Sequence, residues 1–192
     1  MKNRIIKAAP LLTCVLLLAA VAGGVPQAPA ESFKVTTVVL VRHAEKGTEP
    51  ANNPPLNESG QARARELARV LGGAGVKAII TSQAVRTMQT AEPLAQQLKL
   101  PVTPVTMTPK PTNPKEVTEQ SIEEIVKNIE AHAGETVLVV GHSNTVPDVI
   151  RMLGGDAVPS IDERKFDDLF IVTLYGKRKA RVAQLKYGSA SP

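Results

Sequence analysis

The sequence predicts a single three-layer α/β/α domain with a mostly parallel central sheet. Three short, largely apolar and β-branched runs, at residues 35–41, 76–81 and 136–140, are separated by stretches whose apolar residues recur at helical spacing. Continuous apolar runs of this length are typical of strands that are covered on both faces. Strands that alternate with helices indicate right-handed βαβ units and a parallel sheet with helices on both sides.

The first half of the chain alternates strand and helix. Residues 35–41 form the first predicted strand, and Asn57 can cap the helix that follows a loop rich in proline and asparagine. Residues 76–81 form the second predicted strand. A helix is expected from about 84 to 98, and Pro93 should kink or divide it because proline removes a backbone donor.

The second half continues this alternation and closes on a hairpin. Five prolines between residues 100 and 114 indicate a largely irregular loop. The other expected elements are a short strand over 102–106, a helix over about 114–132, a strand over 136–140, a helix from about 146, and a C-terminal hairpin formed by 168–175 and 180–187.

Residues 1–30 have the composition of a secretory signal peptide. Three basic residues precede an apolar run over 11–21, and an Ala-Pro-Ala sequence at 28–30 offers a cleavage site. The run is too short to span a bilayer comfortably. We expect export to the periplasm or the extracellular space, cleavage, and no stable membrane insertion afterwards. An uncleaved membrane anchor is the alternative.

The expected mature domain, residues 31–192, contains no cysteine, because Cys14 lies in the leader. Most of the apolar run follows Cys14, whereas a lipidated cysteine would end such a run, so lipidation is disfavoured. Disulfides, thiolate catalysis and cysteine-ligated metals are excluded for the mature domain. The net charge of +5 falls to +2 without the leader, so the charge does not indicate a nucleic-acid partner.

Charged residues follow the buried strands at their carboxyl ends, where parallel sheets bind ligands. The first strand runs into Arg42 and His43, and the fourth strand is followed by His142. Arg86 comes early in the helix after the second strand and can reach the same edge of the sheet. Planar guanidinium groups match phosphoryl oxygens, and helix N-termini add partial positive charge. Together these residues predict an anion pocket.

Four segments at these strand-to-helix junctions resemble the histidine phosphatase (phosphoglycerate mutase-like) superfamily, in its small phosphatase branch. They are VRHAE at 41–45, PLNESGQA at 55–62, SQAVRTMQTA at 82–91 and VGHSN at 140–144. The resemblance implies a phosphoglycerate mutase-like fold and a phosphatase in which His43 is the nucleophile. His43 would form a phosphohistidine that water hydrolyses, while Arg42, Arg86 and His142 would bind the phosphoryl oxygens.

The chain departs from the mutase pattern in two places. The first motif has Arg-His-Ala in place of Arg-His-Gly, and the region before His142 is short, where mutases carry an insertion and the glutamate that protonates the leaving group. Glu45 is the first candidate for that general acid, with Glu116 and Glu119 as alternatives. A leaving group of low pKa could depart without an acid. We therefore expect hydrolysis of a phosphorylated small molecule, a sugar phosphate or a phosphoprotein.

Two other function classes remain open. A catalytically idle module of the same fold could bind a phosphorylated ligand, but it would not need a nucleophilic imidazole. A metallohydrolase is disfavoured, and we expect no metal and no cofactor, because two histidines without a carboxylate partner at ligand spacing make a poor metal site. The remaining basic residues singled out by the sequence are expected to be solvated: Arg63, Arg65, Arg69, His132, Lys177, Arg178 and Lys179.

Overall fold

The computed structural model of the protein describes residues 34–191. The predicted signal peptide, residues 1–30, and Cys14 lie outside this range, so export and cleavage stay predictions. No helix within residues 34–191 is long and apolar enough to cross a membrane.

A six-stranded sheet forms the centre of the domain, and a separate two-stranded sheet lies in the stretch that follows β3. The strands are β1 (Thr36–Arg42), β2 (Val76–Ser82), β3 (Val102–Val105), β4 (Pro109–Lys110), β5 (Asn113–Val117), β6 (Thr136–Gly141), β7 (Asp168–Gly176) and β8 (Lys179–Lys186). The order in the large sheet is β3-β2-β6-β1-β7-β8. The first four strands in that order are parallel, and β7 and β8 are antiparallel to their neighbours. The predicted mostly parallel sheet is confirmed.

Four helices cover the two faces of this sheet: α1 (Glu58–Leu71), α2 (Val85–Leu98), α3 (Glu119–Glu130) and α4 (Thr145–Met152). Leu67 of α1 and Leu94 of α2 join one core cluster with Leu138 of β6. Ile129 of α3 and Ile150 of α4 join a second cluster on the opposite face. Each of these side chains is fully buried, which contributes about 1.5–3 kcal/mol per residue. The three-layer α/β/α architecture is therefore confirmed.

The proline-rich stretch is more ordered than its composition predicts. Strands β4 and β5 pair antiparallel and form a small hairpin, and Thr118 N donates to Thr108 O at 2.8 Å beside it. Residues 113–117 are therefore extended, and the prediction of a helix from about 114 was wrong by five residues at its start. Pro93 lies inside α2 without dividing it. Pro93 is the ninth residue of α2, so its missing N–H removes the single bond to Gln89 O, and the helix continues on both sides of it.

The start of α1 lies directly behind the loop that follows β1. The Asn57 side chain accepts a hydrogen bond from Gly60 N at 2.9 Å, as its predicted capping role requires. Gly60 packs against the backbone of Glu45, and a Cβ at this position would overlap the Glu45 carbonyl oxygen. Asn57 N also donates to Glu45 O at 3.0 Å. Helix α1 therefore fixes the backbone that carries the first motif.

Replacing Gly60 with alanine should destabilise the domain by about 1–3 kcal/mol, because the new methyl group forces α1 and the loop around Glu45 apart. Chemical denaturation measures the change in the free energy of unfolding. Gly73→Ala is the matched control, since a Cβ there meets nothing within 4 Å. Equal stability of the two variants would contradict the close packing of α1 on this loop.

Candidate active site

The pairing of β1 with β6 brings the two histidines together. These strands are parallel neighbours in which Arg42 is opposite Gly141. His43 N donates to Gly141 O at 2.9 Å, so the residues that follow each strand leave the sheet side by side. The ring centroids of His43 and His142 are 5.4 Å apart, at an interplanar angle of 67°.

The four residues predicted to form the pocket line one cavity of about 960 Å³ at the carboxyl ends of the parallel strands. Arg86 is the second residue of α2, and its Nη2 lies 3.4 Å from His142 Nδ1. Arg42 and His43 come from the end of β1, and His142 comes from the end of β6. The cavity is much larger than a single phosphoryl group.

The His43 ring is held as a neutral imidazole. Its Nδ1 lies 2.8 Å from Ala44 O, which can only accept, so Nδ1 carries the proton and Nε2 keeps its lone pair. Burial is the largest cause that lowers the pKa of His43, from 6.5 to about 2, and the nearby His142, Arg42 and Arg86 lower it further. The hydrogen bond to Ala44 opposes this shift without reversing it. A neutral imidazole with a free Nε2 is the form that can act as a nucleophile.

The His142 ring is oriented by two protein partners. Arg86 Nη2 can only donate, so His142 Nδ1 is the acceptor and Nε2–H donates to Ser82 Oγ at 2.9 Å. Burial, followed by the charges of Arg86, Arg42 and Lys46, lowers the pKa of His142 to about 3. An oxyanion in the cavity would therefore compete with Ser82 for the Nε2 proton of a neutral ring.

The two guanidinium groups retain unused donors. Arg42 is 2% exposed, and its Nη1 and Nη2 donate to residues of the α4–β7 loop, whereas its Nε has no acceptor among residues 34–191. Arg86 Nε is likewise buried without an acceptor in the described part of the chain. Burial lowers the pKa of both side chains. Buried unpaired donors are costly, and an oxyanion would satisfy them.

A sequence profile of the histidine phosphatase superfamily (branch 1) matches residues 38–107, which include Arg42, His43 and Arg86. The resemblance to the histidine phosphatase superfamily is confirmed. The match supports phosphatase activity. No curated protein sequence matches the chain.

Solved structures of histidine phosphatases and mutases share the fold. The protein histidine phosphatase SixA in complex with tungstate is 18% identical, with a TM-score of 0.59, over 78% of this chain and 96% of that chain. Phosphoglycerate mutase from Bacillus anthracis strain Sterne is 17% identical, with a TM-score of 0.62, over 80% and 94%. Mycobacterial glucosyl-3-phosphoglycerate phosphatase is 14% identical, with a TM-score of 0.57, over 82% and 100%. At these identities the likeness establishes the phosphoglycerate mutase-like fold.

Glu45 does not lie where the general-acid hypothesis placed it. Its carboxylate accepts from Arg63 Nε and Nη2 at 2.8–3.0 Å and lines a different cavity. Arg63, predicted to be solvated, is 5% exposed and also donates to the backbone oxygens of Tyr187 and Ser189. A buried guanidinium needs an anionic partner, and this requirement turns Glu45 away from His43.

The alternative acids also lie outside the cavity. Glu116 accepts from Lys110 Nζ at 2.7 Å on the β4–β5 hairpin and is exposed. Glu119, the first residue of α3, lines a separate cavity beside that helix. None of the three glutamates suggested by the sequence is therefore placed to protonate a leaving group in this cavity.

Sequence reasoning missed two residues that contact the pocket residues directly. Ser82 was given no role beyond being the first residue of the motif at 82–91, yet its Oγ binds His142 and accepts from Ala84 N at 3.2 Å. Glu163 belongs to an irregular segment in which no periodicity drew attention to it, and it forms an ion pair with Arg42 at 2.8 Å. Within residues 34–191, no cluster of three or more potential metal ligands occurs.

The free energy of unfolding should fall as the pH drops from 7 towards 4. Both folded-state pKa values lie below the 6.5 of a free histidine, so the unfolded chain binds protons that the folded chain does not. The stability present above pH 6.5 is lost below it, by at most about 1.4 kcal/mol per pH unit for each histidine.

Urea unfolding at a series of pH values measures this slope. Because carboxylates also contribute to it, the comparison is with a variant: His142→Asn should flatten the slope, whereas His132→Asn, at an exposed position, should retain it. A wild-type slope in His142→Asn would contradict the neutral buried state of His142.

Proposed function

We propose that the protein is an exported phosphatase that hydrolyses a phosphomonoester or a phosphoramidate through a phosphohistidine on His43. The observation that carries the proposal is the state of the His43 ring. Its Nδ1–H is held by Ala44 O, which leaves the Nε2 lone pair free in a cavity that is also lined by Arg42 and Arg86. A site that only binds phosphate has no need of an imidazole fixed in this tautomer.

In the first step, the phosphoryl group enters between Arg42, Arg86 and His142, whose donors hold its oxygens. His43 Nε2 attacks phosphorus, and the bond from phosphorus to the leaving group breaks. The ring keeps its Nδ1 proton and gains positive charge as the P–N bond forms. The carbonyl oxygen of Ala44, 2.8 Å from Nδ1, stabilises that charge.

In the second step, a water molecule attacks phosphorus, and the P–N bond breaks. Inorganic phosphate leaves, and His43 returns to the neutral state that the buried site favours. The cavity of about 960 Å³ leaves room for a leaving group larger than a hydroxyl. A phosphorylated small molecule, a sugar phosphate and a phosphoprotein side chain are all candidate substrates. The names of two structural neighbours, a protein histidine phosphatase and a glucosyl-3-phosphoglycerate phosphatase, agree with a phosphoprotein or a phosphorylated small molecule.

Radiolabelled acetyl phosphate should label the full chain at neutral pH through an acid-labile phosphohistidine. His43→Ala should abolish the label and lower the hydrolysis of p-nitrophenyl phosphate by roughly a thousandfold or more, since the nucleophile is removed. Rapid quench followed by treatment with acid or alkali distinguishes a P–N bond from a phosphoester.

His132→Ala is the control, because His132 is exposed, pairs with Glu135 at 2.8 Å and lies outside the cavity. Its label should match that of the wild type. A protein that binds inorganic phosphate but never acquires a label would instead be the binding module, and the phosphatase proposal would be wrong. A label that survives in His43→Ala would place the nucleophile elsewhere.

The composition of residues 1–30 supports export, which is therefore part of the proposal. Expression of the full chain in a Gram-negative host should yield protein outside the cytoplasm whose N-terminus begins near Glu31. Cell fractionation followed by N-terminal mass spectrometry measures both properties. An intact N-terminus in the membrane fraction would indicate an anchor, and an intact chain in the cytoplasm would contradict export.

A further inference from the structure

One carboxylate lines the catalytic cavity among the residues that the structure describes, and it belongs to Glu163. This residue lies in the segment 153–167, which joins α4 to β7 without regular secondary structure. The segment is anchored at Ile161, whose N donates to Ser143 O at 3.1 Å and whose side chain is 6% exposed. Glu163 is therefore presented to the cavity from a loop that is fixed at a neighbouring position.

Among residues 34–191, every acceptor of a hydrogen bond from the Arg42 side chain belongs to this same loop. Arg42 Nη1 donates to Asp162 O at 2.9 Å and to Lys165 O at 3.1 Å, and Nη2 donates to Glu163 Oε2 at 2.8 Å. Phe166 lies under the guanidinium, with its ring centroid 4.3 Å from Arg42 Cζ. The two carbonyls position the group, whereas the carboxylate supplies its negative charge.

The two partners of this ion pair differ in their access to water. The Arg42 side chain is 2% exposed and the Glu163 side chain is 77% exposed. The guanidinium cannot leave its place, and without an anion it would be a buried unpaired charge. The carboxylate is hydrated whether or not it contacts Arg42, so the cost of its departure is the charge left on Arg42, and a bound phosphoryl group removes that cost. Besides the ion pair with Arg42, the Glu163 carboxylate accepts one hydrogen bond, which Ser143 Oγ donates at 2.9 Å.

We propose that Glu163 occupies the anion position on Arg42 in the free protein, and that the phosphoryl group of a ligand displaces it. Glu163 thereby determines the affinity of the site for phosphate. The inference rests on the proposed function only in taking this cavity as the phosphoryl site.

Repulsion between like charges on one guanidinium supports displacement over simultaneous binding. Arg42, Arg86, Lys46 and Lys115 line the cavity, and the two histidines are neutral. A phosphoryl group bound to Arg42 would lie beside the Glu163 carboxylate, which is 2.8 Å from the same guanidinium, and two anions at this separation repel each other. Because two carbonyls hold Nη1, the guanidinium stays in position while Nη2 exchanges its partner.

Glu163→Gln tests the proposal, since glutamine retains the shape of the side chain without its charge. Inorganic phosphate binding to the full chain, measured by isothermal titration calorimetry at pH 8, should become roughly three- to tenfold tighter, as expected for the loss of a competing partly exposed ion pair. Glu116→Gln is the matched control, because Glu116 is also exposed and is held by one cation, Lys110, and one neutral donor, Asn113. It should leave phosphate affinity unchanged.

Unchanged or weaker phosphate binding in a folded Glu163→Gln variant would overturn the proposal. A fall in turnover with unaltered phosphate affinity would also overturn it, since Glu163 would then act in proton transfer. If circular dichroism shows that Glu163→Gln does not fold, Ser143→Ala decides the question. Ser143→Ala keeps the charge of Glu163 and removes the hydrogen bond from Ser143 Oγ, so phosphate should bind more tightly than to the wild type. Unchanged phosphate binding would count against displacement.

These outcomes are separable from those of the proposed function. A wild-type protein that binds phosphate but acquires no label on His43 would lose its assignment as a phosphatase. The comparison between Glu163→Gln and wild type would still decide whether the carboxylate competes for Arg42.

Discussion

The parallel pairing of β1 with β6 determines where chemistry can take place in this domain. Arg42 is opposite Gly141, so the residues that follow the two strands, His43 and His142, are neighbours. Their ring centroids are 5.4 Å apart. The buried guanidinium of Arg42 and the half-buried guanidinium of Arg86 add positive charge, which together with burial keeps both rings neutral. A neutral imidazole in a cationic pocket is therefore a consequence of strand register.

The strands and helices that bury continuous apolar stripes were predictable from the sequence. β1, β2 and β6 are covered on both faces, and the spacing of Leu67 and Ile129 on their helices shows directly which side packs inward. The hairpin at 109–117 was not predicted, because five prolines nearby suggest irregular structure and a two-strand ribbon buries too little to leave a pattern. Composition predicts an element when the apolar residues of that element pack into the core. It does not predict a short hairpin that forms through a few backbone hydrogen bonds.

The residues of the candidate site likewise include some that the sequence predicts and some that it does not. Arg42, His43, Arg86 and His142 were found because each follows a buried strand whose end could be identified. The prediction for Glu45 was wrong because its proximity in sequence to His43 gives no information about its ion-pair partner. That partner is Arg63 of α1, whose buried guanidinium holds the Glu45 carboxylate. Glu163 left no signal, since a loop side chain that meets a distant arginine has no periodicity.

The contacts of Arg63 also connect residues 187–189 to the loop that carries His43. Its guanidinium holds Glu45, two residues after His43, and donates to the backbone oxygens of Tyr187 and Ser189. Recombinant versions trimmed before Ser189 would remove one of those acceptors and loosen the residue that holds the loop behind the histidine. For expression and labelling of this protein, the choice of the C-terminal boundary therefore also affects the backbone next to His43.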